Sequence, residues 1–276
     1  MKHFKSCEWV YEHLSTVKLL DAGIVKAGLS GPYVPPAVIQ GAQRFDFGKT
    51  FADEQSLISN TMCSANQFER EAQKLGLSQQ DTIIVYDVQG LYSAARAWWM
   101  FKAVGFNEVY VLDGGLTRWM TLGYPTASSY AKASEIGNFK ASALTDFFVD
   151  KHRILEVMET SHSLILDARG QARFSGVEKE PRAGMRSGHI PSSQSLSYSL
   201  ISNEDGTVKS TDALASLFRE RQAQDKTLYF SCGSGVTACV LAIAASECGY
   251  SDLHVYDGSW SEWGADDSLP IATGQE

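Results

Sequence analysis

The chain is one pattern written twice. Leu19-Leu-Asp-Ala22 recurs as Ile165-Leu-Asp-Ala168, Ile83-Ile-Val-Tyr-Asp-Val-Gln-Gly90 lies over Leu228-Tyr-Phe-Ser-Cys-Gly-Ser-Gly235, and Gly105 to Gly114 lies over Gly249 to Gly258. Trp119 then matches Trp263, and the offset stays between 144 and 146 residues throughout. Chance does not hold register across separated blocks, so the chain is read as two homologous domains. At 276 residues it is also long for a single core.

Within each copy, apolar runs of four to six residues bounded by Asp and Gly alternate with helical stretches: Gln67 to Leu75, Ser93 to Val104, Asp212 to Gln222 and Val236 to Glu247. That alternation predicts parallel strands covered by helices, so the fold class is α/β, a mostly parallel sheet flanked by helices in each domain. The segment Pro125 to Asn138 is polar and rich in small residues, and it reads as a connector. The expected layout is a first domain over 1–126, a linker over 127–145 and a second domain over 146–276.

The net charge of -8, with no Lys/Arg cluster, argues against nucleic acid or an anionic membrane as partner. The N-terminal segment lacks the apolar core of a signal peptide and no run approaches a membrane span, so a cytoplasmic location is expected. The five cysteines, Cys7, Cys63, Cys232, Cys239 and Cys248, are odd in number and read as reduced thiols. No CxxC is present and the six histidines are scattered, so neither a metal nor any other cofactor is expected.

Chemistry concentrates at Thr227 to Ala238. An apolar strand ends at Ser231, and Cys232-Gly-Ser-Gly-Val-Thr237 forms a short glycine-bearing loop before a strongly helical stretch. A buried Cys at a strand end is commonly core filler, as Cys239 and Cys248 are read here. Amides of a glycine loop and the positive end of a helix, however, favour a thiolate and bound anions, which makes Cys232 the expected nucleophile. The first copy has Asp87 at this position and cannot carry thiol chemistry. It is expected to supply structure and one wall of an interdomain cleft.

These residues resemble the tandem-rhodanese sulfurtransferases, most closely the 3-mercaptopyruvate sulfurtransferases. The resemblance covers nearly the whole chain, through Gln89 to Phe101, Leu112-Asp-Gly-Gly-Leu116, Gly188-His-Ile-Pro191 and the Cys232 loop. Family members that prefer thiosulfate typically carry Cys-Arg-Lys-Gly, whereas those that prefer mercaptopyruvate carry Cys-Gly-Ser-Gly, as Gly233 and Ser234 do here. Thiosulfate holds its charge beside the sulfur under attack; mercaptopyruvate holds a carboxylate several bonds away, where Ala172-Arg173-Phe174 and Glu180-Pro181-Arg182 would supply two guanidinium groups. The competing reading pairs these arginines with Glu178 and Glu180 at the surface.

The resemblance implies a two-step transfer: Cys232 takes sulfur from a small-molecule donor as a persulfide, then passes it to a thiol such as thioredoxin or glutathione, or to cyanide. Gly233, Gly235, Val236 and Thr237 would stabilise the moving charge, Ser234 would assist catalysis, and Tyr92 and Ser93 would face the substrate from the first domain. One departure matters. The family's first-domain histidine, in His-Ile-Pro-Gly-Ala, is replaced by Val38 in Val38-Ile-Gln-Gly-Ala42, so a relay through it does not carry over. The stretch Asp21 to Pro36 and the segment Met62-Cys63-Ser64 are also atypical, which points to a remodelled cleft wall.

Two other classes compete. A phosphatase-like enzyme of the related fold needs an arginine six positions after the cysteine, where Ala238 stands, and is set aside. A thiosulfate sulfurtransferase, or a noncatalytic sulfur-binding or protein-interaction module, stays as an alternative. Outside the loop, His189 is read as structural, Trp98 and Trp99 as core, and Asp113 and Asp257 as turn residues.

Overall fold

The computed structural model describes residues 1–26, 28–142 and 146–274. The first unit runs β1 (Phe4–Lys5), α1 (Cys7–Glu12), β2 (Val17–Asp21), β3 (Val38–Ile39), β4 (Gln43–Arg44), α2 (Ala65–Lys74), β5 (Thr82–Tyr86), α3 (Ala94–Ala103), β6 (Val109–Leu112), α4 (Gly115–Thr121) and β7 (Thr126–Ala127). The second runs β8 (Phe148–Val149), α5 (Lys151–Val157), β9 (Ser163–Asp167), α6 (Gln171–Phe174), β10 (Gln194–Ser195), α7 (Thr211–Arg219), β11 (Thr227–Ser231), α8 (Ala238–Glu247), β12 (Leu253–Tyr256) and α9 (Ser259–Trp263). The sheet orders are β1-β6-β5-β2-β4 and β8-β12-β11-β9-β10, parallel throughout, so the repeat seen in sequence is a repeat of topology. The central strands Ile83-Ile-Val-Tyr86 and Leu228-Tyr-Phe-Ser231 are buried on both faces, which is why they read as continuous apolar runs.

The two units meet through α3 and α8. Ala238 to Ala245 are all buried, and α3 is buried along nearly its whole length, so neither helix has the polar outer face expected of a surface element. One apolar cluster runs from Phe68 and Phe101 of the first unit through Trp99 and Ile243 to Phe218 and Phe230 of the second. Smaller clusters close the far face of each sheet, around Trp119 and around Trp260 and Trp263.

The segment expected to connect the halves packs along the first unit. β7 pairs antiparallel with β3, Tyr130 donates to Asp21 (2.9 Å), and Phe139 is buried among Phe68, Phe101 and Phe106. The backbone donates at Ala131 to Ala42, Gly137 to Gln73 and Ser142 to Val104. The polar composition hid two aromatic anchors, the half-buried Tyr130 and the buried Phe139, and the contacts on the first unit run to residue 142. Residues 143–145 of the expected linker lie outside the described residues.

Asp113 and Asp257 do more than end strands: each crosses to the other unit. Asp113 Oδ1 accepts from Val208 N–H (2.7 Å) and Asp257 Oδ2 from Met62 N–H (2.8 Å). The amino-terminal edge crosses too, since Glu247 accepts from the Lys2 and His3 N–H groups and the His3 ring contacts Ser246 Oγ at 2.8 Å.

Burial pushes the His3 imidazole down to about 4, against the pull of Glu247. Between the ordinary value of 6.5 and about 4 the unfolded chain therefore binds a proton that the folded chain refuses. Stability should fall by about 1–3 kcal/mol as pH drops through that window. Denaturant melts of wild type and His3→Gln check this: the difference between the two curves should narrow toward acid pH, and a constant difference rejects the assignment.

Candidate active site

Cys232 sits where β11 ends, its residue surface 1% exposed. Its N–H donates to Ser259 Oγ (3.2 Å), and its carbonyl accepts from Trp260 N–H (2.9 Å). The Gly233 carbonyl accepts from Ser261 N–H (2.9 Å) and from Ser261 Oγ (2.7 Å). The start of α9 thus braces the first two peptides of the loop. Beyond them the chain turns at Gly235, whose φ of +70° lies where a β-carbon is strained, and a β-carbon there would stand 2.7 Å from the Asp257 carbonyl oxygen.

Among the described residues, the N–H groups of Gly233, Ser234, Gly235, Val236, Thr237 and Ala238 donate to no protein acceptor. The first unit shows what such a loop holds. There the Asp87 carboxylate accepts from Gly90 N–H at 2.9 Å on one oxygen, and from Tyr92, Ser93 and Ala94 N–H at 2.9, 2.7 and 2.8 Å on the other. By their places at the start of the following helix, Thr237 and Ala238 are the counterparts of Ser93 and Ala94, and the Asp87 loop is one residue longer than the Cys232 loop. A strand–loop–helix turn is thus filled by a side-chain anion in one copy, and in the other a turn one residue shorter is left open beside a sulfur.

A cavity of about 50 Å³ opens over Cys232. Its floor is Gly233, Ser234, Val236 and Thr237, one wall is Arg173 and Arg182, and the other wall, from the first unit, is Ile24, Val25 and Tyr92. Ser234 and Thr237 are nearly buried, and no described protein group is hydrogen-bonded to either hydroxyl. Tyr92 meets Tyr198 edge-on at 5.5 Å, and Lys26 lies 5.9 Å over its ring.

The arginine wall is wired from behind. The Glu180 carboxylate, 1% exposed, accepts from Arg169 Nη1 (2.7 Å) on one oxygen and from Arg173 Nη2 (2.5 Å) on the other. Arg169 also pairs with Asp167 (2.6 Å), donates to the Gly188 carbonyl (2.8 Å) and lies 4.3 Å over the Trp260 ring. Among the described residues Arg182 has no carboxylate partner; it donates at 3.4 Å to the Gly233 carbonyl and to Ser261 Oγ. Three guanidinium groups therefore face two carboxylates, which leaves one positive charge at the cavity. Glu180 is not the surface partner the sequence suggested but a buried strut that aims Arg173.

Two expected participants, Ser93 and Gly235, do not line the cavity. Ser93 is fully buried behind the cavity because the first turn of α3 winds around Asp87. Gly235 points its carbonyl back at α3 and shapes the loop without lining the cavity. Val38 packs in the rear cluster with Tyr86 and Trp119, so the position that lost its histidine is not a cavity position in this chain. His189 is buried, stacked on Phe174 at 3.8 Å with Nδ1 2.8 Å from the Phe174 carbonyl oxygen, in keeping with a structural role. Ile24, Val25 and Glu180 were missed. Only the oddity of the Asp21 to Pro36 stretch pointed at the first two.

Fold and site together define a duplicated α/β protein with one open, amide-lined cysteine loop and one closed by its own carboxylate. Residues 6–122 and 151–266 each match the rhodanese-like domain, and the chain belongs to that family. It is 37% identical to the 3-mercaptopyruvate sulfurtransferase of Mus musculus, over 94% of this chain and 90% of that one. It is 34% identical to thiosulfate/3-mercaptopyruvate sulfurtransferase 2 of Arabidopsis thaliana, over 96% and 85%. The crystal structure of SseA from Escherichia coli, described as a 3-mercaptopyruvate sulfotransferase, superposes with a TM-score of 0.84 at 30% identity, covering 95% of this chain and all of that one. The chain is accordingly an enzyme of the sulfurtransferase type.

Proposed function

We propose that the enzyme moves sulfur from 3-mercaptopyruvate through a persulfide on Cys232 to a thiol or cyanide. The observation that carries this reading is the pair of loops: Asp87 marks, within the same chain, the anion such a backbone cradle accepts, and the open copy offers those N–H groups to sulfur. The Cys232 thiolate attacks the donor sulfur, the carbon–sulfur electron pair passes to carbon, and the donor's S–H proton ends on that carbon. Pyruvate leaves, and the anionic outer sulfur stays among the loop N–H groups. A thiolate or cyanide then takes that sulfur and returns Cys232. The cavity is small and Cys232 nearly buried, so the acceptor is cyanide or a thiol whose sulfur alone reaches in, as the tip of glutathione or of a protein such as thioredoxin would.

Donor choice follows from the arginines. A β-carbon on Gly233 would stand 3.1 Å from Arg173 Nη2 and 3.6 Å from Arg182 Nη1, so a loop cation there would meet two guanidinium groups already in place. The positive charge sits on the wall, suited to a carboxylate reaching away from the sulfur. Steady-state turnover with each donor tests this: kcat/KM for 3-mercaptopyruvate should exceed that for thiosulfate at least tenfold. The reverse order makes the protein a thiosulfate enzyme, and no turnover with either favours a binding module.

A further inference from the structure

Arg96 is a full charge in the first turn of the apolar helix α3, completely buried, and it belongs to the unit without the cysteine. Its Nη1 donates to the Gly235 carbonyl of the catalytic loop (3.1 Å) and pairs with Asp257 (2.7 Å), while Nη2 donates to the Asn60 carbonyl (2.6 Å). The guanidinium lies 4.2 Å over the Phe148 ring, and its Nε is buried without an acceptor. Cys239 Sγ approaches the same Gly235 carbonyl at 3.3 Å. A buried cation of this kind is retained at a desolvation cost that apolar packing would avoid, so its position calls for a role beyond stability.

We infer that Arg96 is a positioning residue for sulfur transfer, holding the Gly235 carbonyl toward α3 and thereby setting the loop N–H groups on the sulfur. The C=O and N–H of one peptide point in opposite directions across a rigid plane, so fixing the Gly235 carbonyl toward α3 turns the Val236 N–H the other way, toward the cavity that Val236 lines. Released, that peptide can rotate and present a carbonyl dipole to an anionic sulfur. Burial works against the charge on Arg96, but the Asp257 carboxylate beside it outweighs burial and holds the guanidinium in its charged form. The charged groups facing the loop are then Arg96 and Asp257 from behind and Arg173 and Arg182 from the front. The arrangement gives the cysteine-free unit a part in catalysis, and it rests on the persulfide reading given above.

The test uses Arg96→Met and, because an unpaired Asp257 can prevent folding, the double variant Arg96→Met with Asp257→Asn, which removes both charges. Two readouts are taken on protein with a native near-ultraviolet spectrum: the pH profile of Cys232 alkylation by iodoacetamide, and kcat and KM for 3-mercaptopyruvate. The alkylation profile should move to higher pH by about one unit and kcat should fall about tenfold or more, with KM within about twofold. A double variant that folds with the wild-type profile and kcat overturns the inference, as does a change confined to KM. Alkylation needs no sulfur donor, so its result stands even if the enzyme proves to use another substrate.

Discussion

Cys232→Ser should abolish sulfur transfer and leave the fold intact. The hydroxyl occupies the same buried pocket between β11 and α9, and the Cys232 N–H and carbonyl keep their partners in Ser259 and Trp260. What is lost is an atom able to accept a second sulfur. Intact-mass measurement after exposure to 3-mercaptopyruvate should show one added sulfur on the wild type and none on the variant, at equal melting temperature. Cys239 is no substitute: burial pushes its thiol well above the ordinary range and its Sγ is turned to the Gly235 carbonyl. Added sulfur on the variant would move the chemistry to another thiol.

Arg182→Ala should raise KM for 3-mercaptopyruvate by about ten- to a hundredfold, the equivalent of one charge-assisted hydrogen bond of about 1.5–3 kcal/mol. The reasoning is electrostatic: Asp167 and Glu180 take up Arg169 and Arg173, and Arg182 carries the charge left over. Arg173→Ala is a poorer probe, because it also strips the buried Glu180 of one partner and mixes binding with stability. Thiosulfate turnover by Arg182→Ala should change by less than about threefold, since that donor's charge lies beside the attacked sulfur. Equal losses with both donors would show that the guanidinium acts on the loop, through the Gly233 carbonyl it touches, and not on the carboxylate.

The duplication, the parallel sheets and the cysteine loop were legible because each is local: a strand's apolar run, a glycine's freedom and a fixed offset need only neighbours in sequence. What was least legible is how the two copies face each other. Arg96 drew no reading from the sequence, because its partners Gly235 and Asp257 lie far along the chain. Asp113 and Asp257 look like strand ends because their acceptor role is discharged in the opposite unit. Ser93 resembled a substrate residue because a residue at the start of a helix beside a loop is usually reachable, and only the turns around Asp87 show that it is not. That the polar connector packs on the first unit was not legible, because the contacts of Tyr130 and Phe139 that anchor it are distant in sequence.

The α3–α8 contact lies inside one unbroken apolar body, and that changes what the repeat means. Copied halves began as separable modules, yet here the melting of either would strip the other of its solvent-free side. Denaturation should therefore engage the whole chain at once, so a substitution far from the cysteine, in the copy that does no chemistry, is felt by the working copy through their joint survival.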